Sequence, residues 1–206
     1  TAYSAGFLRA DGTRIVDGNQ KSFLIRGMGI GGWMLMEPYM FQMNQESDEG
    51  QHKIFNDIEE LIGTERLTEF HSAWLNNFFT ERDVAEHKRS GFNMIRIPMH
   101  YKLFTLPIED EPEVGSDTWL AEGFTMIDSL LSWCEKHELY LLLDLHAAPG
   151  GQGYNGNIND YDPTKPSLWE SEENQRKTVA LWEKLAERYA NNEWVGGYDP
   201  MNEPNW

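Results

Sequence analysis

The sequence predicts an α/β fold: the N-terminal half of a (β/α)8 TIM barrel, with four parallel strands, intervening helices and an N-terminal β-hairpin. The first observation is the alternation of strand and helix patterns along the chain, which is typical of parallel βαβ units with right-handed crossovers. The second is the apolar run from Leu139 to Leu145, the pattern of a parallel strand buried on both faces. The third is that polar side chains follow every predicted strand. We expect a single domain over residues 1–206.

The composition is that of an ordinary globular protein with a strongly acidic balance. The 206 residues are 40% apolar and 25% charged, and the formal net charge is −17. Nucleic acids and anionic membrane surfaces call for basic patches, so we expect neither as a partner. The eight tryptophans and eight tyrosines offer flat faces that suit stacking on sugar rings. Cys134 is the only cysteine, which excludes an internal disulfide and a cysteine-based metal site. We expect no cofactor.

The N-terminal region is predicted to be β structure. Asp17-Gly18 is a hairpin turn signal between strands at Thr13–Val16 and Ser22–Ile25. A further strand is expected over Phe23–Ile30. Residues 41–60 are rich in Gln, Asn and acidic side chains, which predicts a long loop with room for a short helix.

Four helices and three more strands are predicted in the rest of the chain. Apolar residues spaced three and four apart mark the inward face of each helix. The helices are expected at Thr64–Phe79, from Thr80 to Gly91, at Ala121–His137 and from Ser171 to Tyr189. The inward residues are Leu67, Phe70, Trp74 and Phe78 in the first helix, and Val179, Trp182, Ala186 and Tyr189 in the last. The strands are expected at Phe92–Pro98, Leu139–Leu145 and Val195–Met201.

Chemically useful residues gather where each predicted strand ends. They are Trp33 and Glu37, then Arg96 and His100, then Asp144 and His146, and finally Asn202 and Glu203. In a parallel barrel these strand ends share one face, and that face carries the active site. Pro204 stops the last strand because proline cannot donate to a sheet ladder. A carboxylate beside an amide at that point is a candidate general acid or base.

The same residues allow three other interpretations: a dinucleotide-binding turn, a metal site and a structural ion pair. The glycines of residues 27–32 suggest a dinucleotide turn, but Trp33 and a long loop follow them instead of the helix that a nucleotide-binding sheet requires. His100, Asp144 and His146 carry metal-binding groups, yet nothing fixes a ligand spacing, so we expect no metal. Arg96 is either a structural counter-ion for Asp144 or a functional residue, and both roles are compatible.

Three motifs at these separations resemble glycoside hydrolase family 5, the cellulase-like retaining glycosidases. They are Arg96-Ile97-Pro98, Leu143-Asp144-Leu145-His146 and Asn202-Glu203-Pro204. Gly31-Gly32-Trp33 with Glu37-Pro38, together with residues 146–152, look most like the family's glucanase branches, including exo-β-1,3-glucanases. The resemblance implies a glycoside hydrolase that acts on β-linked glucan oligo- or polysaccharide, as a cellulase, an endoglucanase or a β-1,3-glucanase does.

The resemblance also implies roles for individual residues. Glu203 would be the acid/base carboxylate, and Asn202 would hold the sugar 2-hydroxyl. Arg96 would orient the nucleophile, and His146 would line the subsite at the scissile bond. His100, Trp33 and Glu37 would be further substrate-binding residues.

The chain departs from the family pattern in one serious respect. Such barrels have eight strands and about 250 residues, whereas this chain carries four predicted strands. The nucleophilic glutamate of the seventh strand has no counterpart here, so any hydrolysis needs a second carboxylate from outside the motif set. The alternative is a catalytically incomplete glucanase fragment that acts as a carbohydrate-binding or self-assembling module.

Two further expectations follow. Open strand edges and an uncovered concave face recruit partners, so we expect a homo-oligomer, most simply a two-fold dimer. Thr1 opens a mature-looking segment, so we expect no signal peptide within these residues. With the family resemblance, we expect an extracellular or periplasmic protein.

Overall fold

The computed structural model describes residues 6–43 and 49–206. Within them, four strands form one parallel sheet in the order β3-β4-β5-β6, and two strands form a separate hairpin. Helices lie between successive strands of the sheet. The strands are β1 (Arg9–Asp11), β2 (Arg14–Val16), β3 (Gly27–Gly29), β4 (Met94–His100), β5 (Tyr140–Ala147) and β6 (Val195–Asp199). The helices are α1 (Gln51–Ile62), α2 (Thr64–Asn77), α3 (Glu81–Arg89), α4 (Ala121–His137), α5 (Gly156–Asn159) and α6 (Glu172–Tyr189).

The parallel sheet separates an apolar face from a polar one. Ile95, Ile97, Leu141 and Leu143 are fully buried in the core together with side chains of α3, α4 and α6. Side chains alternate across a strand, so the opposite face carries Arg96 of β4 and Asp144 of β5. In the register of the sheet Arg96 is opposite Leu142, and Asp144 is opposite Asp199 of β6. The parallel order and the single helix-covered face confirm the predicted barrel architecture.

The N-terminal hairpin is present, but its turn lies earlier than predicted. β1 and β2 pair antiparallel around Gly12, whose φ of +60° suits a tight turn. The predicted turn at Asp17-Gly18 also forms, since the Asp17 amide donates to the Lys21 carbonyl, but the pairing beyond it is a single bridge from Val16 to Ser22. The Asp17 carboxylate accepts from the Asn19 and Lys21 amides, which favours a compact loop over a longer ladder.

The hairpin region closes the end of the sheet opposite the polar residues. The Tyr140 hydroxyl, at the start of β5, donates to the Gly6 carbonyl over 2.7 Å. The Phe23 ring meets Tyr140 edge-on with 5.2 Å between centroids. The segments that flank the hairpin therefore contact the amino-terminal end of β5, which is the bottom of the barrel.

Residues 41–60 were predicted to be a long loop with room for a short helix, and helix α1 occupies the second half of this region with 12 residues. Residues 44–48 of that predicted loop lie outside the described residues. Gly50 caps α1 and lies so close to the chain that an added Cβ would come within 2.3 Å of the Gly156 carbonyl oxygen. The buried Gln51 side chain accepts from the Met36 amide over 2.7 Å. These contacts hold a helix start that lacks an ordinary polar cap.

The predicted helices are confirmed, while two of their inward faces are shifted. In α2 the buried residue is Leu75, followed by Phe79 after the helix, whereas the predicted Phe78 is 41% exposed and stacks on Trp74. In α6 the predicted Val179 is 57% exposed. The buried stripe of α6 is Asn174, Lys177, Thr178, Leu181, Leu185 and Tyr189. Because Lys177 lies in this buried stripe, a prediction from apolar spacing alone misplaced the inward face of α6.

Caps define where the helices begin. Thr80 and Asp83 form a reciprocal capping box at the start of α3, the point where the sequence predicts that a helix begins. Ser171 accepts from the Asn174 amide at the start of α6. Among the residues that the structure describes, no helix is long and apolar enough to cross a bilayer.

Candidate active site

Arg96 is the centre of a polar cluster at the carboxyl ends of β4, β5 and β6. Its Nη2 lies 2.9 Å from Asp199 Oδ2, 3.0 Å from Asp144 Oδ2 and 2.8 Å from Asn202 Oδ1. The predicted counter-ion role toward Asp144 is therefore confirmed. Asp199 is a second counter-ion that sequence reasoning missed, because an aspartate before a proline gives no motif. We call Arg96, Asp144, His146 and Asn202 the Arg96 cluster.

The hydrogen bonds of this cluster fix the orientation of the Asn202 amide and the tautomer of His146. Arg96 can only donate, so the Asn202 oxygen faces it and the amide nitrogen faces His146 Nε2 at 3.2 Å. Nε2 must then accept, which places the ring proton on Nδ1. Nδ1 lies 2.6 Å from Asp144 Oδ2, where a carboxylate receives that proton. One consistent arrangement of donors therefore runs from Arg96 to Asp144.

Asp144 is the buried anchor of this arrangement. Its side chain is fully buried, and burial raises its pKa, against the lowering effects of His146 and Arg96. Oδ2 is shared by both partners, whereas Oδ1 is buried without a hydrogen bond among the described residues. Because Oδ1 accepts no hydrogen bond, the buried carboxylate depends on Arg96 and His146 for its stabilisation.

Glu37 approaches the cluster from the loop after β3. Its Oε1 lies 3.7 Å from His146 Nε2, and the residue is 5% exposed. Burial raises the pKa of Glu37, nearby Glu203 and Asp144 add to that effect, and His146 and the Tyr39 hydroxyl oppose it. The site thus brings Glu37 together with the Arg96 cluster and holds it more protonated than a free glutamate.

Glu203 follows the cluster directly and faces solvent. Its φ of +42° is in the left-handed region, which costs a residue with a side chain about 1–2 kcal/mol. The strained turn is held on both sides, since the Asn202 amide donates to the Leu145 carbonyl and the Asn205 amide to the Gln152 carbonyl, each over 3.1 Å. Glu203 is exposed, and its charge still helps to raise the pKa of the buried Glu37 carboxyl.

Gln152 ties the two strand ends together. This fully buried side chain donates from Nε2 to the His146 carbonyl over 2.7 Å and to the Asn202 carbonyl over 2.8 Å. Its Oε1 accepts from the Ala148 amide over 3.1 Å. Sequence reasoning noted Gln152 within a motif but assigned it no role, because the need for a bridge appears only when β5 and β6 are adjacent.

Two predicted site residues lie outside the Arg96 cluster. Trp33 is buried in the core, where its indole donates to the Leu75 carbonyl over 2.8 Å and its ring packs on Phe79. His100 is fully buried at the end of β4 and bonds to Asp160 Oδ2 through Nε2 over 2.8 Å. Burial lowers the pKa of His100, and its Nδ1 accepts from the Lys102 amide, so the ring is a neutral structural donor.

The histidines of the metal interpretation are thus divided between different carboxylates. His146 bonds to Asp144, whereas His100 bonds to Asp160. Across residues 6–43 and 49–206, no three His, Cys, Asp or Glu side chains are grouped so that they could hold a metal ion.

Replacing Asp144 by asparagine tests the donor arrangement. We expect the variant to lose about 1–3 kcal/mol of stability, because one charge-assisted bond is weakened and a buried amide proton is left without an acceptor. We also expect the His146 proton to redistribute toward Nε2, which ¹⁵N NMR of the imidazole measures. Asp11→Asn, in the exposed β1–β2 hairpin, is the control. An unchanged unfolding midpoint and an unchanged tautomer in Asp144→Asn contradict the arrangement.

Comparisons with known proteins identify relatives of this chain. A family model described as cellulase, glycosyl hydrolase family 5, matches residues 52–206. A β-xylosidase from Phanerodontia chrysosporium is 35% identical over 198 residues, which cover 96% of this chain and 39% of that protein. A probable glucan 1,3-β-glucosidase A from Emericella nidulans is 30% identical over 184 residues, 88% of this chain and 42% of that protein.

Solved structures give the same fold. The rutinosidase from Aspergillus niger superposes with a TM-score of 0.64 at 15% identity, over 88% of this chain and 49% of that chain. This likeness concerns the fold alone, and the solved neighbours are (β/α)8-barrel glycoside hydrolases of which the chain covers part. The chain spans about two fifths of the length of the curated relatives it matches. From the family model and the site motifs, the chain belongs to glycoside hydrolase family 5.

Proposed function

We propose that this chain carries the acid/base half of a glycoside hydrolase that acts on β-linked glucan, with Glu203 as general acid and base. The observation that carries the proposal is the placement of Asn202 and Glu203 at the end of β6. There Arg96 and His146 fix the Asn202 amide while Glu203 stays open to a substrate. General acid–base catalysis needs a positioned carboxyl within hydrogen-bond reach of the leaving oxygen.

The other site residues have roles that fit this reaction. The Asn202 amide nitrogen keeps a second proton that no described residue accepts, and it is available to a sugar hydroxyl. His146 and Glu37 lie beside it at the site. Arg96 is 33% exposed on its side chain and bonds to Asp144 and Asp199, which leaves its remaining donors to orient a second carboxylate. His100 and Trp33 support the surrounding loops instead of touching sugar.

Glycosidases use two carboxyl groups, about 5–5.5 Å apart in retaining enzymes and about 6.5–9.5 Å apart in inverting ones. Asp144 is committed to Arg96 and His146, so it is not free to serve as the second. Glu37 is one candidate, and a partner chain's carboxylate is another. Without either, the chain is the binding or self-assembling module of the alternative proposal.

A β-glucan substrate is supported by charge and by aromatic side chains. The net charge of −17 suits a neutral polysaccharide. Trp206 stacks on Tyr154 with 4.7 Å between centroids, and both remain about half exposed close to Glu203. The names of the relatives refer to β-xylose and β-1,3-glucan chemistry, so both linkages and sugars belong in the test.

The test measures reducing sugar released from laminarin, carboxymethyl cellulose, xylan and mannan, with calorimetric titration of laminari- and cello-oligosaccharides. We expect release from a β-glucan and binding of its oligosaccharides. Binding without release supports the carbohydrate-binding alternative. If the chain neither binds these oligosaccharides nor releases reducing sugar from any of these polymers, the glucan proposal is wrong.

We also propose that the chain associates with itself. Within the described residues, β3 and β6 each pair with one neighbouring strand, so each leaves an edge of the sheet open. A two-fold dimer that joins such edges would cover the polar face and bring a second Glu203 near the first. Light scattering over a range of protein concentrations decides this, and a monomer throughout contradicts it.

An extracellular or periplasmic location is part of the same proposal. Its support is the substrate, because glucan polymers of this kind lie outside the cytoplasm. Detection of the protein in the culture medium or the periplasmic fraction, and not in the cytosol, is the expected result.

A further inference from the structure

A cavity lies between the loops that follow β4 and β5. Its volume is about 300 Å³, within the range of small-ligand sites. The lining contains none of Arg96, Asp144, His146 and Asn202, so the cavity is distinct from the Arg96 cluster. The residues used below are His52, Tyr101, Lys102, Glu109, Lys165 and Asn174.

Two polar atoms of the lining belong to largely buried residues and have no hydrogen-bond partner among the described residues. Tyr101 is 7% exposed, and its hydroxyl makes no hydrogen bond within residues 6–43 and 49–206. Asn174 is 3% exposed and donates from Nδ2 to the Pro166 carbonyl over 3.0 Å, which leaves its Oδ1 without a donor in the same part of the chain. Neither atom is fully enclosed by protein, so each is open to a partner inside the cavity.

Two ion pairs neutralise most of the charge of the lining, and Asp162 adds one further carboxylate. Lys102 Nζ lies 3.0 Å from Asp160 Oδ2, and Lys165 pairs with Glu109. Burial raises the pKa of the Tyr101 phenol, and Glu109 and Asp160 raise it further, so the hydroxyl stays protonated. The lining therefore presents donors and acceptors without a dominant charge, which disfavours an ionic ligand and suits a neutral one with many hydroxyls.

Hydrogen bonds of Asp160 and a close contact at Gly150 fix the shape of the cavity wall. Asp160 Oδ1 accepts from the His52 amide over 2.7 Å, and its Oδ2 from Lys102 and His100, so α1, β4 and the loop after β5 meet at one carboxylate. Gly150 has φ +79°, and an added Cβ there would come within 2.3 Å of Asn174 Nδ2. Only glycine lets the loop pass this close to the Asn174 amide.

We propose that this cavity is a subsite for one sugar unit of the glucan, separate from the Arg96 cluster. The proposal rests on the proposed glucan-acting function. A sugar ring carries hydroxyls that both donate and accept, so it pairs the Tyr101 hydroxyl and Asn174 Oδ1 at once, while the ammonium groups of Lys102 and Lys165 supply further donors. The sugar displaces waters that otherwise satisfy these groups.

The test compares Tyr101→Phe with Tyr198→Phe, a matched change on an exposed tyrosine of β6. Affinities for a disaccharide and a hexasaccharide of the laminari and cello series are measured by calorimetric titration. We expect Tyr101→Phe to weaken hexasaccharide binding about tenfold, the usual effect of one lost hydrogen bond of about 1.4 kcal/mol, and Tyr198→Phe to leave it unchanged. Lys165→Met, at a largely exposed side chain of the lining, is expected to weaken the same complex.

The outcomes separate the subsite from the proposed function. Unchanged hexasaccharide affinity in both Tyr101→Phe and Lys165→Met, with the parent chain still binding or hydrolysing glucan, overturns the subsite and leaves the function standing. An equal loss in Tyr101→Phe and Tyr198→Phe also overturns it. Binding of no oligosaccharide by the parent chain overturns the subsite together with the glucan-binding part of the function.

Discussion

Replacing Glu203 by glutamine is expected to lower glycoside hydrolysis by about 10²–10⁴-fold, the usual contribution of a general acid and base. Glutamine has the same shape and keeps the turn, but it neither donates a proton to the leaving oxygen nor removes one from water. The Arg96 cluster does not include the Glu203 carboxyl, so oligosaccharide affinity should change little. The measurement is the rate of reducing-sugar release, beside calorimetric affinity, for the parent and the variant.

Glu187→Gln is the matched control, because Glu187 is an exposed glutamate of α6 that takes no part in the site. We expect parent-like hydrolysis from it. A Glu203→Gln rate equal to that of the parent shows that another group is the catalyst. A parent without hydrolysis at any concentration, but with retained binding, favours the incomplete-glucanase alternative, in which the chain keeps the acid/base half alone.

Replacing Lys177 by methionine is expected to destabilise the fold by about 3–5 kcal/mol, the cost of removing one partner from a buried ion pair. Lys177 is fully buried, and its Nζ bonds to Glu111, to Thr105 Oγ1 over 3.0 Å and to Asp117 Oδ1 over 3.3 Å. The Glu111 side chain is 2% exposed. Without the ammonium, the carboxylate of Glu111, in the loop after β4, is left buried without its cationic partner.

The pH dependence of this effect has a defined sign. In the parent chain burial raises the pKa of Glu111, but Lys177 and Thr118 outweigh it and hold the pKa below the ordinary 4.5. A depressed pKa contributes stability above the unfolded-state value, which is lost as the pH falls through the folded-state value. In the variant burial acts with weaker opposition, so Glu111 protonates more readily. The stability difference between parent and variant should therefore shrink as the pH falls below about 4.5.

Denaturant unfolding of Lys177→Met and Lys136→Met at neutral and acidic pH measures this prediction. Lys136 pairs with Glu81 on the surface of α4, with 64% of its side chain exposed, so the control should change stability far less. Equal midpoints for the two variants at neutral pH are incompatible with a buried ion pair that supports the loop.

The strands and most helices were predictable because their apolar patterns are strong. β5 is a near-continuous apolar run, and the α3 start has a cap at Thr80 that sequence alone identifies. Two helix faces were not predictable from apolar spacing. In α6 the deciding residue is Lys177, whose burial depends on acidic partners in residues 111–117, a pairing that only the folded loop creates.

Most residues of the candidate site were predictable from the sequence, but their hydrogen-bond partners were not. Arg96, Asp144, His146, Asn202 and Glu37 come together as expected from parallel strand ends, and Glu203 adjoins them. His100 was expected there as well, but its imidazole bonds to Asp160 in a separate cluster. Asp199 was missed because its partner Arg96 lies two strands away in β4, and Gln152 was missed because its partners are main-chain groups. No local spacing in the sequence records such contacts.

The Gln152 bridge has a consequence for motion. The Gln152 side-chain amide donates to the carbonyls of His146 and Asn202, and the Gln152 main-chain carbonyl accepts from the Asn205 amide. The segments on either side of Glu203 therefore share their restraints with the end of β5. Thermal displacement of one segment therefore carries the other with it. If a sugar binds to His146 and Asn202 as proposed, the same restraints fix its orientation toward Glu203, so little orientational entropy remains to be lost when the proton is transferred.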